Sequence, residues 1–132
     1  MPIALDTNLL ARLVTNDDPQ QAQQVADLID SSTACFVPIT VVLELEWVLR
    51  GAYKLPPAAV IHAFEGLMDI TQLHLEQQDL VRQALEHHRH GLDFADAVHL
   101  LRSEGCGAFL SFDRSLAQQA SKHRLSPAVQ NH

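Results

Sequence analysis

Short apolar runs alternate along this chain with longer stretches whose apolar residues recur every three or four positions. Ile3-Ala4-Leu5 is too brief for a helix and is placed like a buried strand. Asp6-Thr7-Asn8 follows, then Leu9, Leu10, Leu13 and Val14 at helical spacing, so a strand feeds a helix through capping residues. Asn16-Asp17-Asp18-Pro19 closes that helix and opens a second, with Pro19 suited to a first turn and Ala22, Val25, Ala26 and Ile29 forming the apolar stripe. Ala34-Cys35-Phe36-Val37 reads as a second strand, after which Thr40 is expected to cap an apolar helix from Val41 to about Gly51. Pro56-Pro57 opens the next helix, with Val60, Ile61, Phe64 and Leu67 inward. The alternating segment 70–75 predicts a third strand, and Glu76 to about His90 a helix closed by Gly91. Asp93 to about Glu104 predicts another helix, Ala108 to Phe112 a fourth strand, and Arg114 to His123 a last helix. The tail Ser126-Pro127-Ala128-Val129 adds a short edge strand.

Strands and helices that alternate with no hairpin signal imply a parallel sheet with helices on both faces. No repeat, low-complexity segment or linker interrupts the pattern, so residues 1–132 are expected to form a single three-layer α/β domain. A chain of 132 residues buries roughly two-thirds of its unfolded surface. Apolar residues at 47% and charged residues at 19% describe a globular chain and exclude disorder. No apolar run approaches the roughly 20 residues that span a bilayer, so no membrane association is expected. The start, Met1 to Asp6, lacks a basic region and meets an acid too early for a signal peptide. Cys35 and Cys106 lie in apolar contexts and are expected to be reduced, buried thiols of a cytoplasmic protein.

The formal charge of −7 argues at first against a phosphate-rich partner. If Asp6, Glu44, Asp93, Asp96 and Asp113 share one pocket, removing those five charges leaves the remainder at only −2. Divalent cations bound there would reverse the local sign and draw a phosphate in. Net acidity therefore decides nothing.

The placement of those acids is more informative. In open α/β sheets ligands bind beyond the carboxyl ends of the strands. Asp6 directly follows the first strand, Glu44 sits early in the helix after the second, and Asp113 directly follows the fourth. Asp96 lies one turn inside the helix that leads back to that strand, with Asp93 three residues earlier on the same face. Gathering carboxylates costs several kcal/mol of repulsion unless a cation neutralises them. A hard, oxygen-seeking ion such as Mg²⁺ or Mn²⁺ fits that donor set, and such ions serve phosphoryl chemistry. The chain has no Gly-rich phosphate loop, no Cys-x-x-Cys and no Gly-x-Ser-x-Gly elbow.

Each acid also has a structural reading. Asp6, Asp93 and Asp113 are all placed to cap helices. Glu44 lies among Val41, Val42, Leu43, Leu45, Trp47 and Val48, where an acid is expected to point inward and be paired; Glu46 matches Arg50 at i,i+4 and reads as a surface pair. Among eight histidines, the His87-His88-Arg89-His90 run lacks zinc-site spacing and reads as an exposed helix end, while His99 follows Asp96 by three residues. Trp47, Phe64 and Phe112 read as core.

Four segments in order, 5–10, 41–50, 92–97 and 110–114, resemble the PIN-domain nucleases, and within them the VapC-type toxins of bacterial type II toxin–antitoxin pairs. The segments are Leu-Asp-Thr-Asn-Leu-Leu, Val-Val-Leu-Glu-Leu-Glu-Trp-Val-Leu-Arg, Leu-Asp-Phe-Ala-Asp-Ala and Leu-Ser-Phe-Asp-Arg. By position, Asp6 and Asp96 resemble the family's main magnesium ligands. Glu44 resembles its second acid, and Asp113 its fourth, which acts directly on the metal or through water. Asp93 matches an extra acid of this subgroup, and Asn8 the polar residue that steadies the first acid. Ser111 stands where the family often has threonine, a departure that keeps the hydroxyl, and the short C-terminus puts the last family strand in doubt. The resemblance implies a five-stranded parallel sheet flanked by helices, a homodimer, an RNA substrate and a cognate antitoxin that blocks the pocket.

The expected activity is a Mg²⁺- or Mn²⁺-dependent endoribonuclease in which metal-activated water, deprotonated with help from Glu44 or Asp113, attacks a phosphodiester in line. Two alternatives come from other classes. Asp6 could accept a phosphoryl group as in phosphomonoesterases with Asp-x-Asp, but the second position is Asn8, which cannot act as a general acid. A non-catalytic binding module on the same fold would have little reason to keep every acid. A Mg²⁺-linked rise in thermal stability separates an acidic metal pocket from a scaffold.

Overall fold

The computed structural model describes residues 1–131. They form two compact units, the first from Met1 to Gln78 and the second from Asp79 onward.

The first unit carries β1 (Ile3–Ala4), α1 (Thr7–Thr15), α2 (Pro19–Ser31), β2 (Cys35–Val37), α3 (Ile39–Gly51), α4 (Pro57–Met68) and β3 (Leu73–Leu75). Its strands pair in the order β1-β2-β3, and both pairings are parallel, Ile3 opposite Cys35 and Cys35 opposite Leu73. Each neighbouring pair is joined by two helices, the crossover that parallel pairing requires. Cys35, Val37, Leu73 and Leu75 point into the core from alternate positions, as a period of two demands. Leu10, Val25, Ile29, Val42, Leu49 and Phe64 close over them from the helices.

Helix starts in this unit follow the polar punctuation of the sequence, with one exception. Asp18 caps α2 by accepting from Gln21 N, with Pro19 in the first turn. The left-handed Asn16 (φ 54°) ends α1. Thr40, expected to cap α3, lies inside it. The helix begins at Ile39, Pro38 offers no side-chain acceptor, and the orphaned Ile39 N–H donates instead to Glu76 Oε1 at 2.7 Å. Proline in front of the helix removes the local cap, and an acid 37 residues further on, just past β3, replaces it.

The second unit carries α5 (Gln78–Arg89), α6 (Phe94–Arg102), β4 (Phe109–Ser111), α7 (Arg114–Lys122) and β5 (Val129–Asn131). β4 and β5 pair in parallel, Phe109 opposite Val129. The tail strand exists, a few residues later than expected. All five expected strands are present, paired three and two within the units. Gly91 turns the chain after α5 with φ +106°, a conformation that a side chain would strain, and so delivers Leu92 and Asp93 to the start of α6. Leu85, Leu92, Phe94, Ala97, Val98 and Leu116 are buried.

Several burial expectations are reversed. Phe64 is core at 0% exposure, but Trp47 is 63% and Phe112 83% exposed. Cys35 is buried and Cys106 exposed. Among the described residues no helix is long and apolar enough to cross a membrane.

Candidate active site

The first unit contributes a cavity of about 370 Å³ lined by Asp6, Thr7, Asn8, Arg12, Glu44 and Tyr53, among others. Asp6 ends the strand-to-helix turn as the N-cap of α1, its Oδ1 accepting from Thr7 N at 2.7 Å. Among the described residues its second oxygen has no partner. Glu44 lies in the second turn of α3, and its side chain is exposed where an inward position was expected. It is nonetheless held, because the buried Thr7 donates its hydroxyl to Glu44 Oε1. One residue thus ties the two acids, its backbone N–H to Asp6 and its Oγ1 to Glu44. Sequence reasoning had treated Thr7 only as part of a capping run. Asn8 lines the cavity but makes no hydrogen bond to Asp6 among the described residues, so the steadying role falls to Thr7.

Arg12 lines the same cavity and is fixed from three sides. Nη1 donates to Asp17 at 2.7 Å and to the Tyr53 hydroxyl at 2.9 Å, and Nε donates to Gln21 at 2.8 Å. The Tyr53 hydroxyl in turn donates to Asp17 at 2.8 Å. Asp17 titrates below the usual carboxylate range, first because of that Tyr53 bond and further through Thr15 and Arg12.

The second unit contributes a more polar cavity of about 340 Å³ lined by Asp93, Asp96, Asp113, Ser115, Leu116 and Gln119, with Gly91 and Leu92 at its edge. Asp93 caps α6 by accepting from Asp96 N at 3.1 Å, and Asp113 caps α7 by accepting from Leu116 N at 3.1 Å. Ser111 Oγ accepts from Asp113 N at 3.0 Å, so the hydroxyl at that position shapes the turn that carries the acid. Asp96 differs. It is half-buried, caps nothing and receives no hydrogen bond from the described residues. Its pKa is raised, first by desolvation and then by the charges of Asp93 and Asp113, with His99 pulling the other way.

Gln119 was not singled out from the sequence, yet it lines this cavity and its buried Oε1 has no partner among the described residues. Buried polar atoms are paired in the great majority of cases. The three carboxylates and this amide line one cavity, so the oxygens available there suit a hard divalent cation. The fit is chemical, not preassembled. Among the described residues no group of three or more His, Cys, Asp or Glu side chains stands arranged to hold an ion. The carboxylates would have to draw in around one.

Glu46 is the acid of α3 that points inward. It is 1% exposed and accepts from Arg50 Nε at 2.9 Å. The pair is the expected one, but it is not a surface pair. Val42, Leu45, Glu46 and Leu49 stand at i, i+3, i+4 and i+7 on the buried face, but Val41, Glu44, Leu45 and Val48 have the same spacing, so the sequence left both phases open. His87 and His88 are also engaged and half-buried, His88 Nδ1–H donating to Leu92 O at 2.7 Å, so only Arg89 and His90 of that run are exposed.

No curated protein matches the chain. Among solved structures it is similar to that of VapC20 from Mycobacterium tuberculosis, a toxin that cleaves the sarcin–ricin loop. The identity is 22% over 88% of this chain and 93% of that one, with a TM-score of 0.44. The family model of the PIN domain matches residues 3–122, and the chain belongs to the PIN-domain family.

Proposed function

We propose that this PIN-domain chain is a metal-dependent endoribonuclease, the toxin of a VapBC-type toxin–antitoxin pair, that cleaves RNA with Mg²⁺ or Mn²⁺. The observation that carries the reading is the cavity of the second unit, which Asp93, Asp96, Asp113 and Gln119 line together and in which, among the described residues, Asp96 receives no hydrogen bond and the Gln119 oxygen has no partner. In the absence of a cation this arrangement is destabilising, and a fold keeps such a cost where function requires it. A bound divalent ion would supply an acidified water and stabilise charge on the phosphate.

The chain's own residues divide the remaining work. Asp96 and Asp113 are the proposed ion ligands of the second unit, and Asp6 is the proposed ion ligand of the first. Glu44, which Thr7 holds by a hydrogen bond, and Asp113 are the two candidates for accepting a proton from the attacking water. Asp93 raises the negative potential beside Asp96. Ser111 sets the Asp113 turn.

Substitution of acids in both units tests the assignment. Asp6→Asn and Asp96→Asn preserve shape and remove one charge each; both variants should remain folded by circular dichroism and lose Mg²⁺-dependent cleavage of RNA. Full activity in both would refute the reading. A small phosphomonoester run in parallel should not be turned over. The antitoxin, the homodimer and the cytoplasmic setting belong to the same proposal. The exposed Trp47 and Leu110 offer apolar surface for such partners, and light scattering on the purified chain tests the dimer.

A further inference from the structure

Two imidazoles that the nuclease reading does not use face each other in the second unit. His87, in the last turn of α5, and His123, the C-cap of α7, bring their Nδ1 atoms to 3.0 Å, with the rings inclined at 60° and their centroids 5.2 Å apart. Both rings are half-buried. Two ring nitrogens this close have two ways of being satisfied. Either one carries the hydrogen and donates to the other's lone pair, or both lone pairs face a cation.

The separation of the two nitrogens suits the second arrangement. With metal–nitrogen bonds of about 2.05 Å, nitrogens 3.0 Å apart subtend about 94° at the ion. That is the angle between adjacent ligands in tetragonal or octahedral coordination. A tetrahedral ion would require the nitrogens about 0.3 Å further apart at the same bond length. Position adds a second argument. Both residues stand at the C-terminal ends of their helices, where unsatisfied carbonyls and the macrodipole favour positive charge. The titratable neighbours, Glu86 on α5 and His90 just past its end, are bonded to each other at 3.1 Å, and Glu86 also accepts from Arg89.

We propose that His87 and His123 form a two-imidazole site for a borderline divalent transition ion, Cu²⁺ or Ni²⁺ ahead of Zn²⁺, that fastens the end of α5 to the end of α7. Imidazole suits all three ions, affinity rises toward Cu²⁺, and the right-angle geometry favours Cu²⁺ and Ni²⁺ over tetrahedral Zn²⁺. Water completes the coordination, since among the described residues no third metal-binding side chain joins the pair. Mg²⁺, which takes oxygen ligands, does not compete. The proton balance is closed. The ring that donates moves its hydrogen from Nδ1 to Nε2, so binding to the neutral pair releases no proton, and binding to an imidazolium releases the one it carries.

The test uses the whole chain, free of any polyhistidine tag and saturated with Mg²⁺, titrated with CuCl₂ and NiCl₂. Calorimetry should give one equivalent for each ion, and electron paramagnetic resonance of the Cu²⁺ form should show two imidazole nitrogens. Removing even a residue that only supports a ligand commonly costs about 10–100-fold in affinity, so His87→Gln and His123→Gln should each weaken binding at least about tenfold. His90→Gln and His99→Gln should leave it unchanged. Fewer than two bound nitrogens in the unmodified protein, a reading that needs no variant to fold, would overturn the site. So would affinity that survives both pair substitutions, or copper that Mg²⁺ displaces.

Discussion

Replacing Asp96 by asparagine should make the metal-free protein more stable while removing its function. Asp96 is half-buried, carries a raised pKa, and stands among Asp93 and Asp113 with only His99 opposing them. A folded-state pKa above the unfolded value means that the charged form is disfavoured in the fold. The cost is present at neutral pH and disappears as pH falls through the folded value. Partly exposed charge pairs are worth about 0.2–1 kcal/mol each, so two repulsions less the His99 attraction amount to about 0.5–1 kcal/mol. At about 3–5 °C per kcal/mol for a chain of this size, Asp96→Asn should raise the melting temperature without metal by about 2–4 °C. Mg²⁺ acts in the opposite direction. An ion at ten times its dissociation constant stabilises the unmodified fold by about 1.4 kcal/mol, and the variant should gain little of this. Calorimetric melts with EDTA and with Mg²⁺ should therefore change order, the variant melting higher in EDTA and lower in Mg²⁺. An Asp96→Asn protein no more stable than its parent in EDTA, or one that keeps the full Mg²⁺ increment, would show that Asp96 is neither strained nor a ligand.

Thr7→Val keeps the buried volume and removes the hydroxyl that holds Glu44; it should cost about 1 kcal/mol of stability and lower kcat more than KM, with Thr7→Ser restoring both. Glu76→Ala should cost about 1 kcal/mol in a denaturant melt by uncapping α3, and Glu76→Gln should recover part of it. His87 titrates below its ordinary range, chiefly through burial and then through His123. Its contribution to stability is therefore present above the unfolded value and lost as pH falls, so the urea midpoint should rise between about pH 5 and about pH 7 by less in His87→Gln than in the parent. Arg50→Ala, which leaves the Glu46 carboxylate buried and short of its i+4 partner, should cost about 1–3 kcal/mol, whereas Glu46→Met should be near neutral; equal losses in thermal melts would contradict that asymmetry.

The order of elements was legible because each boundary is written in local chemistry. Asp18-Pro19 opens α2, Pro56-Pro57 opens α4, and Gly91 closes off α5 at φ +106°. What escaped depended on contacts far along the chain. The α3 cap comes from Glu76 and the Glu44 partner is Thr7, each 37 residues away, a separation no periodicity reveals. The inward acid of α3 was misassigned for another reason. Val41, Val42, Leu43, Leu45, Trp47, Val48 and Leu49 make the helix apolar on most sides, so the pattern fixes its phase weakly. The structure resolves the phase by burying Val42, Leu45, Glu46 and Leu49 and leaving Trp47 outside.

The candidate site itself was legible for a physical reason that also explains its strain. Asp6, Asp93 and Asp113 each sit where a helix begins and accept a backbone N–H there, from Thr7, Asp96 and Leu116. Free N–H groups and the positive end of the helix dipole make those positions favourable for a carboxylate whatever its function. Folding alone would therefore retain these three, and their presence by itself is weak evidence of chemistry. Asp96, in the first turn of α6, shares the dipole but caps no N–H among the described residues. Among the described residues it accepts no bond, and the charges that act against it are those of the two capping acids. Burial and the charges of Asp93 and Asp113 work against it, so an asparagine there would relieve the fold. The residue that the fold accommodates least well is thus the strongest pointer to a bound cation, and stability in EDTA measured against activity in Mg²⁺ at that one position separates a cap-rich scaffold from a nuclease.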